Sequence, residues 1–74
     1  MVPSNRHDLR QVPSQYLVDA MDRLPLCGPD STAQDLEIEV AFVGRFIVTF
    51  EPRRQVVRGF PARWVWIPTS AERL

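Results

Sequence analysis

The sequence predicts an α+β domain, a single short helix laid on an antiparallel sheet of three or four strands. Two periodicities carry that prediction. Leu17, Ala20, Met21 and Leu24 recur at i, i+3, i+4 and i+7, the stripe of a helix with one buried face. From residue 36 the period drops to two: Leu36, Ile38, Val40 and Phe42 alternate with Glu37, Glu39 and Ala41, as in a half-buried strand. The third observation is size. At 74 residues the chain has room for one domain, and a domain this small hides only about 60% of the surface its unfolded chain exposes.

Residues 1–12 show no sustained periodicity and are expected to form an arm, with Leu9 and Val12 as its anchors. The domain proper is expected over 13–68, with a tail over 69–74 that is frayed or forms one helical turn. Ser14 is the expected helix cap and Pro25 the stop, which places the helix at 14–24. Three turns are too few to persist alone in water, so the helix depends on its apolar stripe. Residues 25–35 are rich in Pro, Gly, Ser and Asp and form a connection longer than the usual ~4–6 residues.

The even-numbered apolar positions continue in phase from Leu36 to Phe50. Strands rarely exceed ~10 residues, so a hairpin is expected. A two-residue turn at Gly44-Arg45 would place Ile38 opposite Glu51. A three-residue loop, Val43-Gly44-Arg45, instead pairs Phe42 with Phe46, Val40 with Val48 and Ile38 with Phe50, and is the expected register. One long strand bent at Gly44 would keep the same parity. Glu51-Pro52-Arg53-Arg54 reads as a turn, residues 55–60 as a third strand weakened by Gly59, and 63–67 as a fourth, stopped by Pro68. One helix shields one sheet face, so either Trp64 and Trp66 or Val65 and Ile67 must point away from it. Covering that surface calls for a homodimer or a protein partner.

Composition excludes several kinds of chemistry. One cysteine forms no internal disulfide, and one cysteine with one histidine falls short of the four ligands of a structural zinc site. No cofactor or metal is expected. The longest apolar runs are far below the ~20 residues of a membrane span, and the first residues carry no signal-peptide stretch, so no membrane role and a cytoplasmic location are expected. All nine basic residues are arginine, the mark of a GC-rich genome and a bacterial or phage source. Without lysine there is no Schiff-base chemistry. Residues 1–40 hold three arginines against seven carboxylates and residues 41–74 six against two, a division that favours pairing between the halves or between subunits.

Cys27 with His7, oriented by Asp8 or Asp30, is the one conceivable nucleophile–base pair, but no signature surrounds it and a cysteine beside leucine reads as a small hydrophobe. Glu37 and Glu39 read as a solvated strand face, and Gly44 and Gly59 as turn residues. The segment RRQVVRGFPARWVW, residues 53–66, carries the functional expectation: Arg53, Arg54, Arg58, Phe60, Arg63, Trp64 and Trp66 as a partner-binding patch. Trp and Arg are the residues enriched at the energetic centres of protein interfaces. The same set on a sheet would also suit single-stranded nucleic acid, aromatics stacking bases and arginines holding phosphates. Arg58-Gly59-Phe60 resembles the opening of the RNA-recognition-motif signature strand, but Pro61 follows it and the chain lacks that βαββαβ length, so it assigns no family. The expected function is a non-enzymatic interaction module or accessory factor acting through a strand edge and this aromatic and arginine patch. Single-stranded nucleic-acid binding is the alternative.

Overall fold

In the computed structural model, residues 9–74 are described, and they form one helix and a three-stranded antiparallel sheet. Helix α1 spans Ser14–Met21, β1 Gln34–Val40, β2 Gly44–Gln55 and β3 Arg63–Arg73, with β2 at the centre. Most of the expected arm, including His7 and Asp8, lies outside the described residues. Leu9 packs on the core and Val12 is buried in it.

The helix begins on Pro13, whose fixed φ suits a helix start but which offers no side-chain acceptor; Ser14 is the first helical residue, not the cap. It ends three residues sooner than the sequence predicts, at Met21, because Arg23 and Leu24 donate to the Ala20 and Met21 carbonyls in a tighter turn. Ala20 is buried, and Tyr16, Leu17, Met21 and Leu24 pack against the sheet, while Val18 and Asp19 face solvent. The core is the sheet face beneath: Ile38, Val40, Phe46, Val48, Phe50, Trp66 and Ala71.

The alternation of residues 36–50 places its even positions other than the turn residues Phe42 and Gly44 in or against this core, but the hairpin register differs from the expected one. Ile38 pairs with Phe46, Leu36 with Val48 and Gln34 with Phe50, so the three-residue loop is Ala41-Phe42-Val43. Both registers bury the same face, since they differ by an even number of positions. The turn decides between them: the Val43 N–H donates to the Val40 carbonyl, with Phe42 at φ 64° in the third position. Phe42 is consequently fully exposed at a loop tip rather than paired with Phe46.

Glu51–Arg54 is strand, not turn. β1 stops at Gln34, opposite Phe50, so beyond that point β2 has a neighbour on one side only and tolerates Pro52 as an edge strand does. Of the third strand expected over 55–60, Gln55 ends β2 and residues 56–60 belong instead to the 56–62 loop that leads to β3. It turns at Val57-Arg58-Gly59-Phe60, where the Phe60 N–H donates to the Val57 carbonyl and Gly59 supplies φ 87°. Pro68 does not end β3. Thr69 is an extra residue between the pairs Phe50–Pro68 and Thr49–Ser70, and this bulge absorbs the proline. Residues 69–73 are therefore strand, and Ala71 reaches the core.

Arg73 fastens the end of β3. Its guanidinium donates to the Val43 carbonyl, lies 5.9 Å from the Phe46 ring centre and reaches Gln11, while the Leu74 N–H donates to the Arg45 carbonyl at 2.9 Å.

Candidate functional site

Past the end of β1, the last residues of β2 and the first of β3 continue as a two-stranded ribbon closed by the 56–62 loop. Its pairs run Pro52–Trp66, Arg53–Val65, Arg54–Trp64 and Gln55–Arg63. Side chains alternate across it. Arg54, Trp64 and Trp66 continue the core face, whereas Arg53, Arg63, Val65 and Ile67 alternate onto the outer face.

The seven residues read from the sequence as one patch thus divide between two faces and a tip. Trp66 is 8% exposed; it packs with Phe50 in the core and its indole N–H donates to the Pro25 carbonyl at 2.8 Å. It belongs to the chain's own interior. Trp64 is half-buried and faces Met21, Leu24, Pro25, Leu26 and Cys27 across a cleft. Of the two alternatives for the outer face, the structure places Val65 and Ile67 there. Arg53, Arg54, Arg58, Phe60 and Arg63 are all exposed.

The tip is apolar. Val56 and Phe60 are 70% and 71% exposed, Val57 is exposed beside them, and Val57, Phe60, Pro61, Ala62 and Arg63 line an open recess. The loop geometry explains this: a turn that needs Gly59 at positive φ has no hydrophobic interior into which these side chains can fold. Sequence reasoning missed Val56 and Val57 because β-branched residues read as strand, and missed Phe42 because its parity matched the core.

The outer face mixes both signs of charge. Glu37 and Glu39 on β1, Arg45 on β2 and Glu72 on β3 lie toward the β1–β2 turn, Asp35 and Glu51 follow, and Arg53 and Arg63 lie toward the 56–62 loop. Arg45 meets Glu37 at 3.2 Å, Arg53 lies 3.6 Å from Glu51, the Arg63 Nε donates to Gln55 at 3.2 Å and Thr49 donates to Asp35 at 2.7 Å. The Arg45–Glu37 contact joins the acidic and basic halves of the sequence. All these contacts are exposed, where an ion pair contributes only ~0–1 kcal/mol.

Cys27 is half-buried against the core and forms no disulfide, and Asp30 is exposed in its loop; His7 and Asp8 lie outside the described residues. Among the described residues no group of three or more His, Cys, Asp or Glu is placed to hold a metal ion, and no helix is long and apolar enough to cross a membrane. Comparison with protein-family models, curated proteins and solved structures finds no match for the chain.

Proposed function

We propose that the chain is a non-enzymatic protein-interaction module that engages another polypeptide through the β2–β3 ribbon and its loop. One observation carries this reading: Val56, Val57 and Phe60 are all exposed in the loop that closes the ribbon, with Arg58 exposed in the same loop and Arg53, Arg54 and Arg63 exposed on the strands that lead to it. An apolar centre with an arginine rim is how protein interfaces concentrate their energy, the rim steering a partner and the centre excluding water. β1 and β3 are both edge strands, and β3 around Trp64–Ile67 lies clear of the Pro68–Thr69 irregularity, so a strand edge is also on offer. The arginine-only basic set and the single cysteine support a cytoplasmic accessory factor of bacterial or phage origin.

The exposed arginines around Phe60 also favour single-stranded nucleic acid as a second reading. Affinity capture from the source organism with wild type, Phe60→Ser and Arg58→Glu, alongside oligonucleotide titration at two salt concentrations, separates the two. The interaction reading expects a polypeptide retained by wild type and lost by both variants, with no oligonucleotide bound at low salt. Oligonucleotide binding that weakens steeply with added salt and is lost in Arg58→Glu replaces it with the second reading. Identical captures from wild type and variants overturn the first.

A further inference from the structure

We infer that the partner of this chain is an acidic polypeptide segment, one that seats an apolar side chain in the recess of the 56–62 loop and sets a neighbouring carboxylate on Arg63. The inference rests on the interaction reading above and names the chemistry of the partner.

The recess supplies the apolar half of the argument. Val57, Phe60, Pro61 and Ala62 line it together with Arg63, the first residue of β3. The chain fixes the loop that bears it. The Phe60 N–H donates to the Val57 carbonyl at 3.0 Å, Gly59 takes φ 87°, and Pro61 locks one further backbone angle. Phe60 is 71% exposed in that geometry. A partner therefore meets a turn already formed, and little backbone freedom is lost on docking.

Arg63 supplies the charged half. Its Nε donates to the Gln55 side-chain oxygen at 3.2 Å, across the last pair of the ribbon. Gln55 is neutral, and the two η nitrogens of Arg63 have no partner among the described residues. Gln55 thus orients the guanidinium without cancelling its charge. An apolar group docked in the recess shields this wall from water, and a charge covered without a counter-charge is strongly unfavourable. The occupant has to bring an anion, and a carboxylate fits the free edge of a guanidinium in a two-pronged contact. Arg58 lies between Val57 and Phe60 in the same turn, is exposed, and its guanidinium has no partner among the described residues, so a second carboxylate also has a site. The one acid of residues 51–66 is Glu51. It is matched by Arg53 at 3.6 Å, and its backbone lies four residues, about 13 Å along the strand, back from Gln55. Positive charge at the loop end is left uncompensated beside apolar surface.

The same observations disfavour a nucleic-acid strand, which needs successive aromatic faces along a continuous basic groove. Trp66 is buried and Trp64 half-buried on the core face, which leaves Phe60 as the exposed aromatic of this end. The arginines form no track, since Arg54 alternates onto the core face and Arg53 and Arg63 onto the outer one. One apolar anchor beside one or two cations suits a short acidic segment.

The test is selection of random twelve-residue peptides, displayed on phage, against the full chain. Recovered peptides are then synthesised and titrated by fluorescence anisotropy. They are expected to hold Asp and Glu at least two-fold above the unselected library, next to an aromatic or aliphatic residue. Replacing the acids of a recovered peptide by Asn and Gln, or its apolar residue by Ser, is expected to weaken binding about ten-fold. In the chain, Arg63→Gln and Arg58→Gln should each weaken it about five-fold and Phe60→Ser about ten-fold, with tryptophan emission unchanged as the sign that the fold is kept. Recovered peptides no richer in acid than the library overturn the inference, as does a failure to recover any, or an affinity unmoved by the acid-to-amide replacement. A twelve-thymidine oligonucleotide that binds more tightly than every recovered peptide replaces the polypeptide with nucleic acid. Self-association in sedimentation equilibrium that is lost in Phe60→Ser replaces the acidic segment with a second copy. If Phe60→Ser loses a captured polypeptide while the recovered peptides are neutral, the interaction reading stands and the acidic chemistry is what fails.

Discussion

Two turns of the same kind close the two hairpins, and their third residues differ in a way that stability measurements can read. In the 57–60 turn that position is Gly59 at φ 87°; in the 40–43 turn it is Phe42 at φ 64°. The left-handed region costs a residue with a Cβ about 1–2 kcal/mol, and asparagine much less, since its short polar side chain bonds locally. Phe42 has no packing within its own subunit to offset that cost. Phe42→Asn is therefore expected to stabilise the isolated subunit by about 0.5–1 kcal/mol. Urea unfolding of wild type and Phe42→Asn at one low protein concentration checks this, and an unchanged or lower midpoint refutes it. Trp66 is the opposite case, an aromatic the chain uses internally. Trp66→Phe removes the indole and leaves the Pro25 carbonyl without its donor. A loss of about 1–3 kcal/mol is expected, and the remaining tryptophan, half-buried Trp64, should emit further to the red than wild type.

At the level of elements, the bulge in β3 makes its own prediction. Residues 64, 66 and 68 face the core before Thr69, and residue 71 after it, so the alternation changes phase at that one extra residue. Deleting Thr69 restores strict alternation while keeping Ser70 outward and Ala71 inward. The shortened chain is expected to fold with the pairs Val48–Ala71 and Phe50–Pro68 intact, losing about 1 kcal/mol with the Thr69 hydroxyl bond to Thr49. Cross-strand nuclear Overhauser contacts report the pairs, and a chain that fails to fold refutes the prediction. Side-chain periodicity made the helix face and the core parity of β1 and β2 legible in the sequence. The turns were less so, because a register slip of even number buries the same residues and only backbone hydrogen bonding at Val40–Val43 distinguishes the two. Pro52 and Pro68 misled for a related reason. A proline breaks a strand only where its missing N–H is needed, and that depends on where the neighbouring strand ends or bulges, a fact of tertiary structure. The division of the Arg53–Trp66 patch followed from these errors. Once residues 51–54 are strand rather than turn, Trp66 falls on the core face and Arg53 on the other.

The whole molecule is long for its size. Its radius of gyration is 13.5 Å, against about 11 Å for a compact chain of this length, and it measures 42 × 28 × 22 Å. The extra length is the β2–β3 ribbon reaching past β1, which buries little and exposes the apolar tip. A single subunit thus combines a small core on one sheet face with an outer face of mixed charged and aliphatic residues on the other. Were two copies to pair, stability would be linked to association, because unfolding a paired subunit also dissociates it. A tenfold rise in concentration favours the dimer by about 1.4 kcal/mol, or ~0.7 kcal/mol per subunit. In a domain of this size 1 kcal/mol moves the melting temperature by about 4–8 °C. A pair of wild-type copies would therefore melt about 3–5 °C higher for each tenfold increase in concentration once the dimer predominates. Wild type alone, whose proposed partner is a different polypeptide, should melt at one temperature throughout. Salt supplies the sign of the electrostatic contribution. The Arg45–Glu37 and Arg53–Glu51 ion pairs are exposed, where added ions reach them, so raising salt from about 0.1 to 1 M shortens the screening length from ~10 to ~3 Å and should slightly lower the wild-type melting temperature at fixed concentration. In an Arg53→Glu, Arg63→Glu variant the same salt relieves like-charge repulsion among the outer-face carboxylates and should raise it. Scanning calorimetry of both proteins over about two decades of concentration, at both salt levels, measures all of this. A wild-type melting temperature indifferent to concentration would mean that the outer face stays in water and the subunit stands alone.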